Sequence, residues 1–111
     1  MSQLSTHILD TALGKPAVNV VIRLEQQDAE TWVIIAQGVT DVDGRLKGFT
    51  QSPLAAGRYR LTAEIGQYFA ATNRETLYPS AQIDFVITQN GGHYHLPFLI
   101  SPWSWSTYRG S

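Results

Sequence analysis

Three histidines, His7, His93 and His95, are the side chains of this sequence best suited to proton chemistry. Imidazole has an ordinary pKa nearest neutrality, which makes it a natural base for activating water. In the run His93 to Ser101 the even positions Tyr94, Leu96, Phe98 and Ile100 form an apolar face. His93 and His95 therefore share the opposite face, roughly 6.8 Å apart along an extended strand. Near the start, Leu4 and Ile8 share one face and His7 takes the other. All three imidazoles are expected on sheet surfaces turned away from the core. Arg45 follows the Asp43-Gly44 turn, and the chain ends Tyr108-Arg109-Gly110-Ser111. That tail, pinned by a neighbouring strand, would supply a phenol, a guanidinium and an α-carboxylate to orient a polar ligand. Gly110 would let the backbone approach closely.

Each feature also has a plainer reading. A His-x-His pair is more often a solvated strand face than a site. With His7 it would make a three-histidine zinc site, but no carboxylate at matching spacing completes the set, and no metal is expected. Asp41-Val42-Asp43-Gly44 hints at a calcium loop, yet Val39 and Thr50 would fall where acidic ligands are needed. An arginine after a turn is usually solvated, and Trp103 and Trp105 read as packing rather than a sugar platform. The serines have no nucleophile-elbow spacing.

The elements that must position these groups follow from length and pattern. A chain of 111 residues, 43% hydrophobic and 15% charged, reads as a single globular domain spanning residues 1–111. At this length roughly 65% of the unfolded surface is buried, enough for a core without staples. Eight basic and nine acidic residues leave a net charge of −1, which argues against the basic stripe of a nucleic-acid or anionic-membrane binder. With no cysteine there is no disulfide, thiolate nucleophile or cysteine-bound zinc. The start Met1-Ser2-Gln3-Leu4 lacks the charged and apolar regions of a secretory signal, and no apolar run is long enough to span a membrane. A cytoplasmic location is the expectation.

The dominant period is two. Val18, Val20, Ile22 and Leu24 alternate with Asn19 and Arg23, Val21 being the exception, as a half-buried strand, and Gln26 to Glu30 reads as a polar connection. Trp32 to Val39 is a second strand, Asp43-Gly44 a tight turn, and Leu46 to Phe49 a further strand. Pro53 to Gly57 is a loop. Arg58 to Ile65 alternates with Tyr59, Leu61, Ala63 and Ile65 inward, and the stretch from Gln67 to Arg74 suits a short helix. Ile83, Phe85 and Ile87 mark another strand, Asn90-Gly91-Gly92 a turn, His93 to Ser101 the next strand and Trp103 to Arg109 the last. Short strands at close spacing with one helix indicate an antiparallel β-sandwich.

These pieces together match a family. Leu4-Ser5-Thr6-His7-Ile8-Leu9-Asp10, Gly14-Lys15-Pro16-Ala17, Asp43-Gly44-Arg45, Tyr78-Pro79, Ile83-Asp84-Phe85, His93-Tyr94-His95-Leu96-Pro97, Leu99-Ile100-Ser101-Pro102 and the closing Tyr108-Arg109-Gly110-Ser111 run essentially end to end. In them the chain resembles the transthyretin-related proteins that are 5-hydroxyisourate hydrolases. The closing tetrapeptide is the most specific match, since hormone-carrying transthyretins lack it and the histidine pair. The resemblance implies a prealbumin-like sandwich assembled as a homotetramer, a dimer of dimers, with sites in the channel where dimers face each other. It implies no cofactor. The catalytic set it carries over is His7, Arg45 and His95, with His93 beside them and Tyr108, Arg109, Gly110 and Ser111 lining the site. The implied reaction opens the ring of 5-hydroxyisourate with water. Two other readings remain: a small-molecule carrier using the same channel, and a structural sandwich in which the histidines are incidental.

Overall fold

The computed structural model describes residues 2–50 and 52–111. Strands β1 (Ser2–Ser5), β2 (Ile8–Asp10) and β3 (Lys15–Pro16) open the chain, followed by β4 (Val21–Asp28) and β5 (Thr31–Val39). Then come β6 (Gly57–Ala63), helix α1 (Ile65–Ala71), β7 (Ala81–Ile87), β8 (Gly92–His95), β9 (Phe98–Ser101) and β10 (Ser104–Thr107). One four-stranded sheet has the order β5-β4-β6-β7 and is antiparallel throughout. A second has the order β10-β9-β2-β3, and β1 pairs with β8 beside it. Between the sheets lies one buried cluster that includes Ile8, Ile22, Leu24, Tyr59, Leu61, Phe69, Phe98 and Ile100. This is the expected sandwich, because strands with one apolar face must bury it against another sheet.

Two pairings depart from the antiparallel expectation. β1 runs parallel to β8 and β2 parallel to β9, so the first and penultimate strands travel the same way. Other differences are local. The strand expected from Val18 begins at Val21 and continues to Asp28, through residues that read as a connection. It does so because β5 pairs along its whole length, down to Asp28 opposite Thr31, with Ala29 turning the chain at φ 57°. Leu46 to Phe49 is a turn rather than a strand, bent by Gly48 at φ 66°. Ile65 leaves its expected strand to begin the helix, and remains fully buried there.

A buried polar knot ties the helix to the second sheet. The Asp10 carboxylate is fully buried and accepts hydrogen bonds from Arg74 Nη2 at 2.6 Å, from Tyr68 Oη at 2.7 Å, and from the backbone N–H groups of Ala12 and Leu13. Burial alone would raise its pKa, but the Arg74, Leu13 and Tyr68 hydrogen bonds together hold it below the ordinary 3.8. Burial, with Asp10 beside it, pushes the Tyr68 phenol up to about 12. The knot keeps β2, which carries the chain away from His7, fixed against the core.

Candidate active site

His7 and His95 stand at a shared break in two parallel strands. β1 stops at Ser5 and β2 starts at Ile8, while β8 stops at His95 and β9 starts at Phe98. Pro97 has no N–H to offer a ladder, which accounts for the interruption on one side. The gap stays closed because Leu96 N–H donates to the Ser5 carbonyl at 3.0 Å and Phe98 N–H to the His7 carbonyl at 2.9 Å. The buried Thr6 hydroxyl donates to the Leu96 carbonyl at 2.7 Å. Alternation survives the break: Tyr94, Leu96, Phe98 and Ile100 are buried, His93 is exposed, and His7 and His95 are half-buried on the outer face.

Two isolated backbone bridges bring the remaining groups in. His7 pairs antiparallel with Arg45, and His95 with Gly110. The first rests on the turn before Arg45. The Asp41 carboxylate accepts the N–H groups of Asp43 at 2.9 Å and Arg45 at 3.1 Å, and Ile8 N–H donates to the Gly44 carbonyl at 2.8 Å. The second is a 2.7 Å hydrogen bond from Gly110 N–H to the His95 carbonyl. Each bridge presses a glycine on an imidazole. A Cβ at Gly110 would lie 2.5 Å from Cδ2 of His95, and one at Gly44 would lie 3.3 Å from Cδ2 of His7. The close approach expected of Gly110 is thus made against His95.

Of the rest of the tail, Tyr108 is 58% exposed and Ser111 is exposed. Arg109 is engaged with the protein. Its guanidinium lies 4.2 Å from the centroid of the Tyr94 ring, a cation–π contact, and makes a long 3.5 Å contact to the His93 carbonyl. It therefore anchors the tail to β8. Sequence spacing does not single out Ser5, yet its Oγ lies 2.7 Å from Nε2 of His93 and 2.8 Å from Nδ1 of His95. The signal that would find it is parity, since Ser5 and His7 are two residues apart on one face of an extended chain.

Burial pushes the His95 imidazole below its ordinary 6.5, and the charges of Arg45, His7 and His93 push the same way. The direction of that shift favours the uncharged imidazole at neutral pH. Among the described residues no group of three or more His, Asp or Glu side chains is arranged to hold a metal ion. Two hollows of about 480 and about 520 Å³ lie elsewhere, one along β5 and residues 46–50 and 52–54, the other between α1 and the residues around β3. Neither includes His7, Arg45 or His95. The cluster occupies an open outer face.

The HIUase/Transthyretin family profile matches residues 4–110. The chain belongs to that family. Within it, a solved 5-hydroxyisourate hydrolase from Klebsiella pneumoniae is 51% identical, with a TM-score of 0.89 covering 99% of this chain and 100% of that one. A 5-hydroxyisourate hydrolase from Caulobacter vibrioides is 43% identical over 115 residues, covering both chains in full. The family also reaches binding proteins. Sea bream transthyretin, solved in complex with thyroxine, is 32% identical with a TM-score of 0.89, covering 96% of this chain and 93% of its own. No helix among the described residues is long and apolar enough to cross a membrane.

Proposed function

We propose that this chain is a 5-hydroxyisourate hydrolase. Neutral His95 or His7 takes a proton from water as its oxygen attacks a ring carbonyl. The Arg45 guanidinium receives the developing oxyanion, an effect worth about 3 kcal/mol for a well-placed donor. Collapse of that oxyanion breaks the ring C–N bond, and the departing nitrogen takes the proton back from the imidazole. The product is 2-oxo-4-hydroxy-4-carboxy-5-ureidoimidazoline. Tyr108 and the chain end position the substrate, Arg109 by holding the tail on Tyr94. An open sheet face does not exclude water, and a site needs concavity. In this reading a second sandwich covers the face, as in a homotetramer built from two dimers.

The observation that carries the reading is the convergence of His7, Arg45, His95 and Gly110 through two isolated backbone bridges, with the His95 pKa lowered at their centre. Carriage of a small molecule, the reading that sea bream transthyretin brings, has no use for a neutral base beside a guanidinium. The two separate in one assay. Freshly made 5-hydroxyisourate is mixed with the protein and its absorbance followed. Acceleration over buffer is expected, undiminished by a chelator, and a decay no faster than buffer would sink the hydrolase. His95→Asn should lower kcat by about a hundredfold or more, the usual size of a general-base contribution, with a small change in KM. An unchanged kcat removes His95 from proton transfer.

A further inference from the structure

The Ser5 hydroxyl touches ring nitrogens of two histidines at once, Nε2 of His93 and Nδ1 of His95. The backbone enforces this contact: in the parallel pairing of β1 with β8, Ser5 stands in register with His95, and Gln3 with His93. A hydroxyl has one hydrogen to donate. It can therefore donate to one imidazole and must accept from the other, so the two rings cannot choose their tautomers independently. Either His95 carries hydrogen on Nδ1 and His93 on its own Nδ1, or both carry it on Nε2.

We propose that Ser5 is a positioning residue that holds His95 as its Nδ1–H tautomer and passes a proton between His95 and the exposed His93. This rests on the hydrolase reading, which needs a lone pair on the nitrogen of His95 that Ser5 does not occupy. The chain of bonds runs from His95 Nδ1–H to Ser5 Oγ, and from Ser5 Oγ–H to His93 Nε2. When His95 Nε2 takes a proton, its Nδ1 proton moves to Oγ and the Oγ proton moves to His93 Nε2. His95 is left neutral with its proton on Nε2, and His93 becomes the imidazolium. Oγ gains one proton and gives one up, His95 exchanges its Nδ1 proton for one on Nε2, and His93 gains one on Nε2. Reset follows when the departing nitrogen takes the Nε2 proton of His95: the proton on His93 Nε2 returns to Oγ, the Oγ proton returns to His95 Nδ1, and both rings regain their starting tautomers.

The test has two arms that fail separately. In the first, the ring nitrogens of His93 and His95 are observed by 15N NMR in the wild-type protein and in Ser5→Ala, with no substrate present. The wild type is expected to show His95 protonated at Nδ1, and Ser5→Ala to shift it towards the Nε2–H form. A wild-type His95 protonated at Nε2, or one unaltered in Ser5→Ala, overturns the proposal even if the enzyme is active. In the second, 5-hydroxyisourate hydrolysis is measured. Ser5→Ala should lower kcat at least about tenfold, in the manner of other tautomer-fixing partners of a catalytic histidine, with KM within about twofold. Ser5→Thr, which keeps a hydroxyl, should recover most of it. Ser5→Cys, a poorer donor of similar size, should fall between and stands in if the alanine variant does not fold. Wild-type kcat in Ser5→Ala or Ser5→Cys refutes the proposal. A wild-type protein that does not hydrolyse the compound refutes the hydrolase reading, and the NMR arm still judges the tautomer.

Discussion

His95 differs from the other two histidines in what surrounds it. Burial, then the charges of Arg45, His7 and His93, lower its pKa from 6.5, and each consequence has a definite sign. In the proposed reaction with His95 as base the competent species is the neutral ring, so kcat/KM should hold steady as pH falls through 6.5 and decline only near the lowered value. For stability, the unfolded chain takes up a proton near 6.5 while the folded one refuses it. Linkage then makes the contribution of His95 fully present above 6.5, and lost progressively as pH falls from there towards the lowered folded value. A pH–rate profile alongside thermal melts checks both. An activity limb at or above 6.5 would mean that the titrating base is not a desolvated His95.

The elements show what was readable in the sequence and what was not. Alternation correctly put Tyr94, Leu96, Phe98 and Ile100 inside and the imidazoles outside, because a buried face fixes parity whatever the pairing partner. Parity does not encode direction, so the parallel pairing of β1 with β8 that sets Ser5 beside His95 was not legible. Nor was the loss of the Leu46–Phe49 strand, where a local apolar run yields to Gly48 at positive φ. The two bridging glycines make a contrast that tests this reading. Gly44 has φ 74°, and a Cβ there would lie 2.5 Å from the backbone oxygen of Ile8. Gly44→Ala should therefore destabilise the fold by more than about 1 kcal/mol, seen as a shifted denaturation midpoint. At Gly110 the obstacle is the His95 ring itself, at 2.5 Å, and it lies next to the chain end. Gly110→Ala should leave the denaturation midpoint nearly unchanged yet reduce kcat, because the imidazole must move. Equal losses of stability in the two variants would contradict the assignment of Gly110 to the site.

At the scale of the whole molecule, the proposed site lies on an open face. His7, His95 and Ser5 are half-buried on an outer face, Arg45 is exposed, and Tyr108 projects with 58% of its surface in solvent. The chain also leaves Val33, Ile34, Ile35 and Val39 of β5, Val86 of β7 and Trp103 exposed, more large apolar side chains than a solitary sandwich needs on its surface. A cover over the histidine face would desolvate His95 further and keep water other than the nucleophile from the oxyanion. A stable cover requires about 800 Å² from each partner, within the reach of one sandwich face. If subunit contact closes the cleft, activity per chain must depend on concentration. Sedimentation velocity and specific activity, followed over the same dilution series, are expected to fall together as the assembly dissociates. Full specific activity in a fraction that sediments as a monomer would show that one sandwich suffices, and would remove the second subunit from the mechanism.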